Sequence, residues 1–256
     1  MELNYDGIGY SATGLPTNLQ KVGNIGLMAY RVKGRDIQAY NYTYDYLDRL
    51  TNSTHYNVSS TSGIASASNW YNEKLAYDIR GNISTLSRQG YKSVPTCAYN
   101  TIDSLTYTYA ANTNKLNSIA DVANATFRPS GFNPNLLGSG YTYDTNGNLK
   151  TDSYKGITNI IYNHLNLPSK IEWSTTKSIE FVYTAMGTKL QKTVKTGAST
   201  NSIQHYMIGV EYNSASGINR RVEVIYHAEG RFFNTNTGTT TDVSLRVHHK
   251  RSSWKC

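Results

Sequence analysis

One nine-residue pattern constrains this chain more than anything else in it. Tyr141-Thr-Tyr143-Asp144-Thr-Asn-Gly147-Asn148-Leu149 has close relatives in Tyr42-Thr-Tyr44-Asp45-Tyr-Leu-Asp48-Arg-Leu50 and Leu75-Ala-Tyr77-Asp78-Ile-Arg-Gly81-Asn82-Ile83. Looser copies run from Tyr107 through Tyr109 to Leu116 and from Phe181 through Tyr183 and Gly187 to Leu190. Two more degenerate ones run from Ile160 through Tyr162 to Leu167 and from Val224 through Tyr226 to Phe232. From Tyr44 onward, the second tyrosines are spaced by 33, 32 and 34 residues, then by 19 and 21. A period of about 20 residues, with longer loops in the first half, accounts for both sets.

Each copy alternates with period two, reaches turn residues and alternates again, which is a hairpin signal. Asn146-Gly147 alone suggests a two-residue type I′ turn that pairs Asp144 with Leu149. The other choice is a type I turn from Asp144 to Gly147, with Gly147 left-handed in a G1 bulge. It puts Asp first and Gly fourth, where each is favoured. It also sets Tyr143 across from Leu149 and Tyr77 across from Ile83, aromatic–aliphatic pairs worth roughly 0.2–1 kcal/mol each. We read the bulged turn. Tyr109 and Tyr183 have one more residue before Leu116 and Leu190, so their loops are expected to be one residue longer. The remaining structural repeat positions are Tyr44, Asp45, Leu50, Asp78, Gly81, Asp144, Tyr162, Leu167 and Gly187.

A lone hairpin is marginal because half its surface needs cover. Stacked copies merge their tyrosine–aliphatic faces into one ridge. A tyrosine ring suits that place because it is apolar while its hydroxyl can reach water or a neighbouring backbone group.

Composition agrees with an all-β chain. Tyrosine supplies 22 residues against five Phe and three Trp, and only 16% of residues are charged. A hydrophobic fraction of 38% is low for a helical enzyme yet too high for disorder. No run approaches the roughly 18 apolar residues of a membrane helix, and no charged-then-apolar leader opens the chain. Cys97 and Cys256 make no disulfide framework.

The chemistry-bearing residues read as structural. Asp45, Asp78 and Asp144 recur at turn starts, which marks them as turn formers rather than catalytic acids. The histidines at 55, 164, 205, 227, 248 and 249 form no H-E-x-x-H or Cys/His cluster. Gly7-Ile-Gly9-Tyr-Ser-Ala12 fits the loose dinucleotide fingerprint, but Thr-Gly-Leu-Pro16 follows where a helix is required. There is no G-x-S-x-G elbow, P-loop or C-x-x-C, and Cys97 stands alone. No catalytic, cofactor or metal site is assigned, and the chain is not expected to be an enzyme.

Lys plus Arg exceed Asp plus Glu by 25 to 17, a balance that can mean nucleic acid. The tyrosines, however, sit at hairpin spacing, and the dense basic cluster lies in the tail, so no nucleic-acid partner is expected. Residues 117–139 interrupt the repeat as a long loop or a short helix. Residues 55–70, rich in Ser and Thr, read as an extended loop.

At the repeated residues the sequence resembles the YD-repeat, or RHS, family, whose unit is Y-x-Y-D-x-x-G-N/R-L. Tyr162-Asn-His-Leu-Asn-Leu-Pro168-Ser-Lys-Ile171 is similar to RHS proteins of the Bacteroidetes type. The likeness runs from about Val22-Gly-Asn-Ile25 to about Arg231. It implies a lead-in at 1–21, a repeat sheet at 22–232 and an irregular tail at 233–256. It further implies tandem hairpins in an extended, spiralling sheet, a partial shell. Such a segment would be non-enzymatic wall, its partners being neighbouring RHS repeats and the toxin cargo of a full-length polymorphic toxin. Full-length relatives would be extracellular or on the cell surface. The alternative expectation is a tyrosine-rich surface module that binds glycans or a partner protein. A short stretch of such a sheet would also leave open edges and self-associate.

The tail departs from the family, whose members continue into a D-H-L-G-N motif. One legal codon choice for Leu245 to Cys256, read one base later, encodes Y-E-Y-I-T-K-D-H-L-G-N. We therefore expect the last eleven or so residues to come from a frameshift, which sequencing the gene across Val243 to Cys256 tests. Arg246, Lys250, Arg251 and Lys255 in that tail supply four of the eight excess positive charges.

Overall fold

The computed structural model describes residues 2–4, 11–16, 20, 22–93, 98–132, 138–197, 199–215, 220–228, 230–234 and 245–249. Gly7, Gly9, Cys97 and residues 250–256 lie outside them. The protein is all-β, built of antiparallel sheets of consecutive hairpins, none of them closed into a barrel. The chain divides into two compact units, Met1–Leu136 and Leu137–Cys256, where the repeat pattern predicts one continuous region.

The first unit contains β1 (Glu2–Asn4), β2 (Leu27–Arg31), β3 (Ile37–Tyr44), β4 (Leu50–Val58), β5 (Ala65–Ala67), β6 (Glu73–Tyr77), β7 (Ile83–Lys92), β8 (Ala98–Tyr109) and β9 (Leu116–Asp121). They form one sheet in the order β1-β2-β3-β4-β6-β7-β8-β9, with β5 paired to the end of β4. The stretch 55–70 is therefore not one loop: residues 55–58 belong to β4 and Ala65–Ala67 form β5. Beyond β9 the chain makes a single 3-10 turn at Arg128–Ser130.

The second unit contains a separate hairpin, β10 (Tyr141–Tyr143) with β11 (Leu149–Asp152). Its nine-stranded meander runs in chain order through β12 (Asn159–Tyr162), β13 (Pro168–Glu172), β14 (Lys177–Tyr183), β15 (Lys189–Thr196), β16 (Ser199–Met207), β17 (Val210–Ala215), β18 (Arg221–His227), β19 (Gly230–Asn234) and β20 (Leu245–His249). The tail predicted to be irregular from residue 233 thus contains the end of β19 and all of β20, which pair from Gly230↔His249 to Asn234↔Leu245. Among the described residues there is no α-helix, and no helix long and apolar enough to cross a membrane.

The first unit has a true interior. Leu27, Ala29 and Ala39 bury together, with Leu15, Ile37 and Tyr56 packed against them. The two alanines leave room for Leu15, whose segment is tied down where Ala65 N–H donates to the Thr13 carbonyl at 2.8 Å. At the other end, residues 122–132 fold against β7 and β8. Asp103, 1% exposed, accepts from the Phe132 backbone N–H at 2.5 Å and from Arg88 Nε at 2.7 Å. A Cβ at Gly131 would lie 2.2 Å from Asp103 Oδ1, so only glycine permits this approach.

Candidate functional site

The repeat positions converge on the line where consecutive hairpins meet. Tyr44 pairs with Leu50, Tyr77 with Ile83 and Tyr143 with Leu149, each across a register shift one residue before the turn. In the last, the Gly147 N–H donates to the Asp144 carbonyl at 3.1 Å and the Asp144 N–H to the Asn148 carbonyl at 2.9 Å. Gly147 sits at φ 87°, so this is a type I turn closed by a G1 bulge rather than a type I′ turn. Gly81 holds the same left-handed position at φ 87°, and Asp48 holds it at φ 59°.

The aspartates are engaged by their own turns. Asp78 Oδ1 accepts from the backbone N–H groups of Arg80 and Asn82 at 2.9 and 2.8 Å. Asp144 Oδ1 does the same for Asn146 and Asn148, and Asp45 Oδ1 for Leu47 and Arg49. The other carboxylate oxygen takes the side chain four residues on: Arg49 Nε at 2.7 Å, Asn82 Nδ2 at 3.0 Å and Asn148 Nδ2 at 3.0 Å. The Asn82 amide, followed by the backbone donors, holds the Asp78 carboxyl below its ordinary range.

The degenerate copies differ in their partners. Tyr109 pairs with Leu116 over a longer loop, with Asn112 left-handed at φ 59°. Tyr183 pairs with Lys189, not Leu190, and Leu190 is 42% exposed. Gly187, at φ 84°, donates to the Thr184 carbonyl as Gly147 does to Asp144, so this loop is no longer than the standard one. Tyr162 pairs with Pro168 rather than Leu167. There Asn163 takes the aspartate's role, accepting from Leu165 and Leu167 N–H, and Asn166 takes the glycine's at φ 56°. In the last copy Tyr226 pairs with Arg231 and its hydroxyl donates to Glu211.

Five repeat tyrosines share one further contact. The Tyr77 hydroxyl donates at 2.7 Å to the carbonyl of Leu50, the residue that pairs with Tyr44 one repeat earlier. The Tyr109 hydroxyl donates to Ile83 at 2.9 Å, Tyr162 to Leu149 at 2.7 Å, and Tyr183 to Pro168 at 2.9 Å. Tyr44 donates to Ile25 at 2.8 Å, and Gly23 precedes Ile25 by two residues at φ 89°, as Gly147 precedes Leu149. Burial pushes the Tyr44, Tyr77, Tyr162 and Tyr183 hydroxyls up, which keeps them protonated donors.

A second set of contacts runs the other way. Asn24 reaches Asp48 of the next turn at 3.0 Å, Asn82 reaches Asn114 at 3.1 Å, and Asn148 reaches Asn166 at 3.1 Å. Arg49 donates to the Asp78 carbonyl at 3.3 Å and lies over the Tyr77 ring at 4.5 Å. These forward-reaching residues were not among the predicted positions. Their signal is the recurrence of Asn or Arg four residues after the turn aspartate.

Among the described residues no group of three or more His, Cys, Asp or Glu could hold a metal ion. No protein-family profile matches this chain. No curated protein matches it either. Among the solved structures that match is the crystal structure of TcdB2-TccC3-TEV, 14% identical, with a TM-score of 0.33 over 87% of this chain. The chain spans 15% of the length of that structure.

Proposed function

We propose that this chain is a non-enzymatic structural repeat segment of an RHS-type protein, a stretch of β-wall. The observation that carries the reading is the hydroxyl ladder: the repeated tyrosine is spent on holding its hairpin to the one before. The repeated aspartate, glycine and Asn or Arg are spent on the turn and on the next turn. A motif retained for chemistry would leave its polar groups turned to a common pocket instead.

In this reading the partners are neighbouring repeats and, in a full-length parent, an enclosed toxin; the setting is extracellular or on a cell surface. The test replaces Tyr44, Tyr77, Tyr109, Tyr162 and Tyr183 together by Phe and follows amide hydrogen exchange hairpin by hairpin. Each lost hydroxyl bond costs about 1 kcal/mol, so the hairpins should exchange faster and unfold less cooperatively. Unchanged exchange in all of them would sink the reading.

A further inference from the structure

Tyr40 and Tyr42 are two residues apart on β3, so their side chains share one face of the sheet. Their rings lie 11° from parallel with centroids 6.4 Å apart, and both line a cleft of about 450 Å³ in the first unit. That volume is in the range of small-ligand sites. Burial pushes both hydroxyls up, so the two rings stay neutral and keep their π faces. Glu73, Arg88 and Gln89 supply the polar part of the lining.

The charges of that lining do not balance. Glu73 and Arg88 stand directly opposite each other on β6 and β7, the register at which a cross-strand ion pair is expected. Arg88 turns instead to Asp103, whose carboxylate lies 2.6 Å from Nη2 and 2.7 Å from Nε. Among the described residues the Glu73 carboxylate has no ion pair and no hydrogen bond. Gln89 Oε1 is buried and likewise has no hydrogen-bond partner among them. An uncompensated negative charge and an unused acceptor thus border a pair of aromatic faces. A planar cation that carries N–H donors answers all three.

The chain builds that combination once from its own residues. Arg49 lies over the Tyr77 ring at 4.5 Å while its Nε donates to Asp45 at 2.7 Å. We propose that the cleft binds a guanidinium group from outside the chain, that of an arginine. Lodged against Tyr40 and Tyr42, the cation lies within about 6 Å of both ring centroids. Its fork of donors meets the Glu73 carboxylate and the Gln89 amide oxygen. Other ligand classes match fewer of these groups. A quaternary ammonium has no donor for either oxygen, and a lysine ammonium is more strongly hydrated and presents no flat face. A neutral sugar leaves Glu73 uncompensated, and the same carboxylate repels a phosphodiester. The inference is independent of the wall reading, because none of the five ladder tyrosines lines the cleft.

Titration calorimetry of the full chain with acetyl-Gly-Arg-Gly-amide and with free arginine tests it. The Gly-Lys-Gly analogue, choline, cellotetraose and a short oligothymidylate are the contrasting probes. At least one arginine ligand should bind with a Kd of about 1 mM or tighter, and the lysine peptide at least about tenfold more weakly than the arginine peptide. Binding of the peptide alone makes the source a partner chain; binding of free arginine as well or better makes it a small molecule. The near-isosteric Glu73→Gln should weaken the arginine ligand at least about tenfold, with an unchanged thermal melt. Tyr42→Phe keeps a π face and should retain binding, while Tyr42→Leu should lose about threefold or more. Tyr183→Phe, outside the cleft, should change nothing. The proposal is overturned if neither arginine ligand binds at about 10 mM, if Glu73→Gln leaves the affinity unchanged, or if lysine, choline, the saccharide or the oligonucleotide binds as well as arginine does.

Discussion

The two units use the same turn but protect their sheets differently. Of the eleven buried hydrophobic residues among those described, ten belong to the first unit and only Val224 to the second. In the first, residues 11–16 and 122–132 fold back onto the sheet and are pinned there by Ala65 and by Asp103. In the second, partly exposed ion pairs stand in their place, with Lys195 to Glu180 across β14 and β15 and Lys170 to Glu172 along β13, both at 2.8 Å. Half-exposed pairs of that kind add little stability. The repeat thus specifies hairpins and their succession, while a hydrophobic interior comes from irregular segments added between them.

Four tests press on this contrast. Asp103→Ala should cost about 3 kcal/mol, because it strips the Phe132 N–H and Arg88 of a buried acceptor. Lys195→Ala in the second unit should cost less than about 1 kcal/mol. Urea unfolding of both variants measures the gap, and equal losses would erase the distinction.

Acid should act next, and on the first unit. His55 is 0% exposed among Tyr40, Trp70 and Tyr71, and burial pushes its imidazole down to about 4. A depressed histidine gives its full stability above the unfolded value of about 6.5 and loses it as pH falls toward the folded value. A loss on the order of 2 kcal/mol between pH 7 and 4.5 is expected. Hydrogen exchange should place it in β3 and β4, and His55→Gln should flatten it.

Gly187→Ala should cost about 1–2 kcal/mol for its left-handed backbone. It should also exceed Gly81→Ala, since the new Cβ meets Leu167 Cδ1 at 3.3 Å, against Arg49 Nη1 at 3.8 Å for Gly81. Thermal melts of the pair decide the order. Smallest, Tyr77→Phe and Tyr162→Phe should each cost about 1 kcal/mol. The ladder is common to both units, so unequal losses by exchange would show that it is not one device.

The turn could be read in the sequence because its determinants are local. Asp144 at the first position and Gly147 at the fourth dictate the bulge between them, and the bulge sets Tyr143 against Leu149. At Tyr183 the aliphatic residue Leu190 is a false marker of the partner strand. Loop length follows the left-handed residue, so Gly187 puts Lys189 opposite. Asn166 does the same at Tyr162, where asparagine tolerates the left-handed region and Pro168 becomes the partner.

The ladder itself was only half legible. Tyrosine's need for an acceptor could be argued, but the acceptor is a carbonyl, which no side chain identifies. The roles of Asp103 and His55 escaped altogether. Each is a single non-local arrangement with no period to reveal it, joining residues as distant in the chain as Asp103 and Phe132.

The hydroxyl ladder also has a direction. In all five cases the donor lies later in the chain than the acceptor, and in four the acceptor belongs to the preceding hairpin. A polypeptide leaving the ribosome presents its N-terminal end first, so each acceptor carbonyl has already emerged when its tyrosine follows. The sheet can therefore grow vectorially during synthesis, one hairpin docking onto the last, without waiting for distant parts of the chain to find each other.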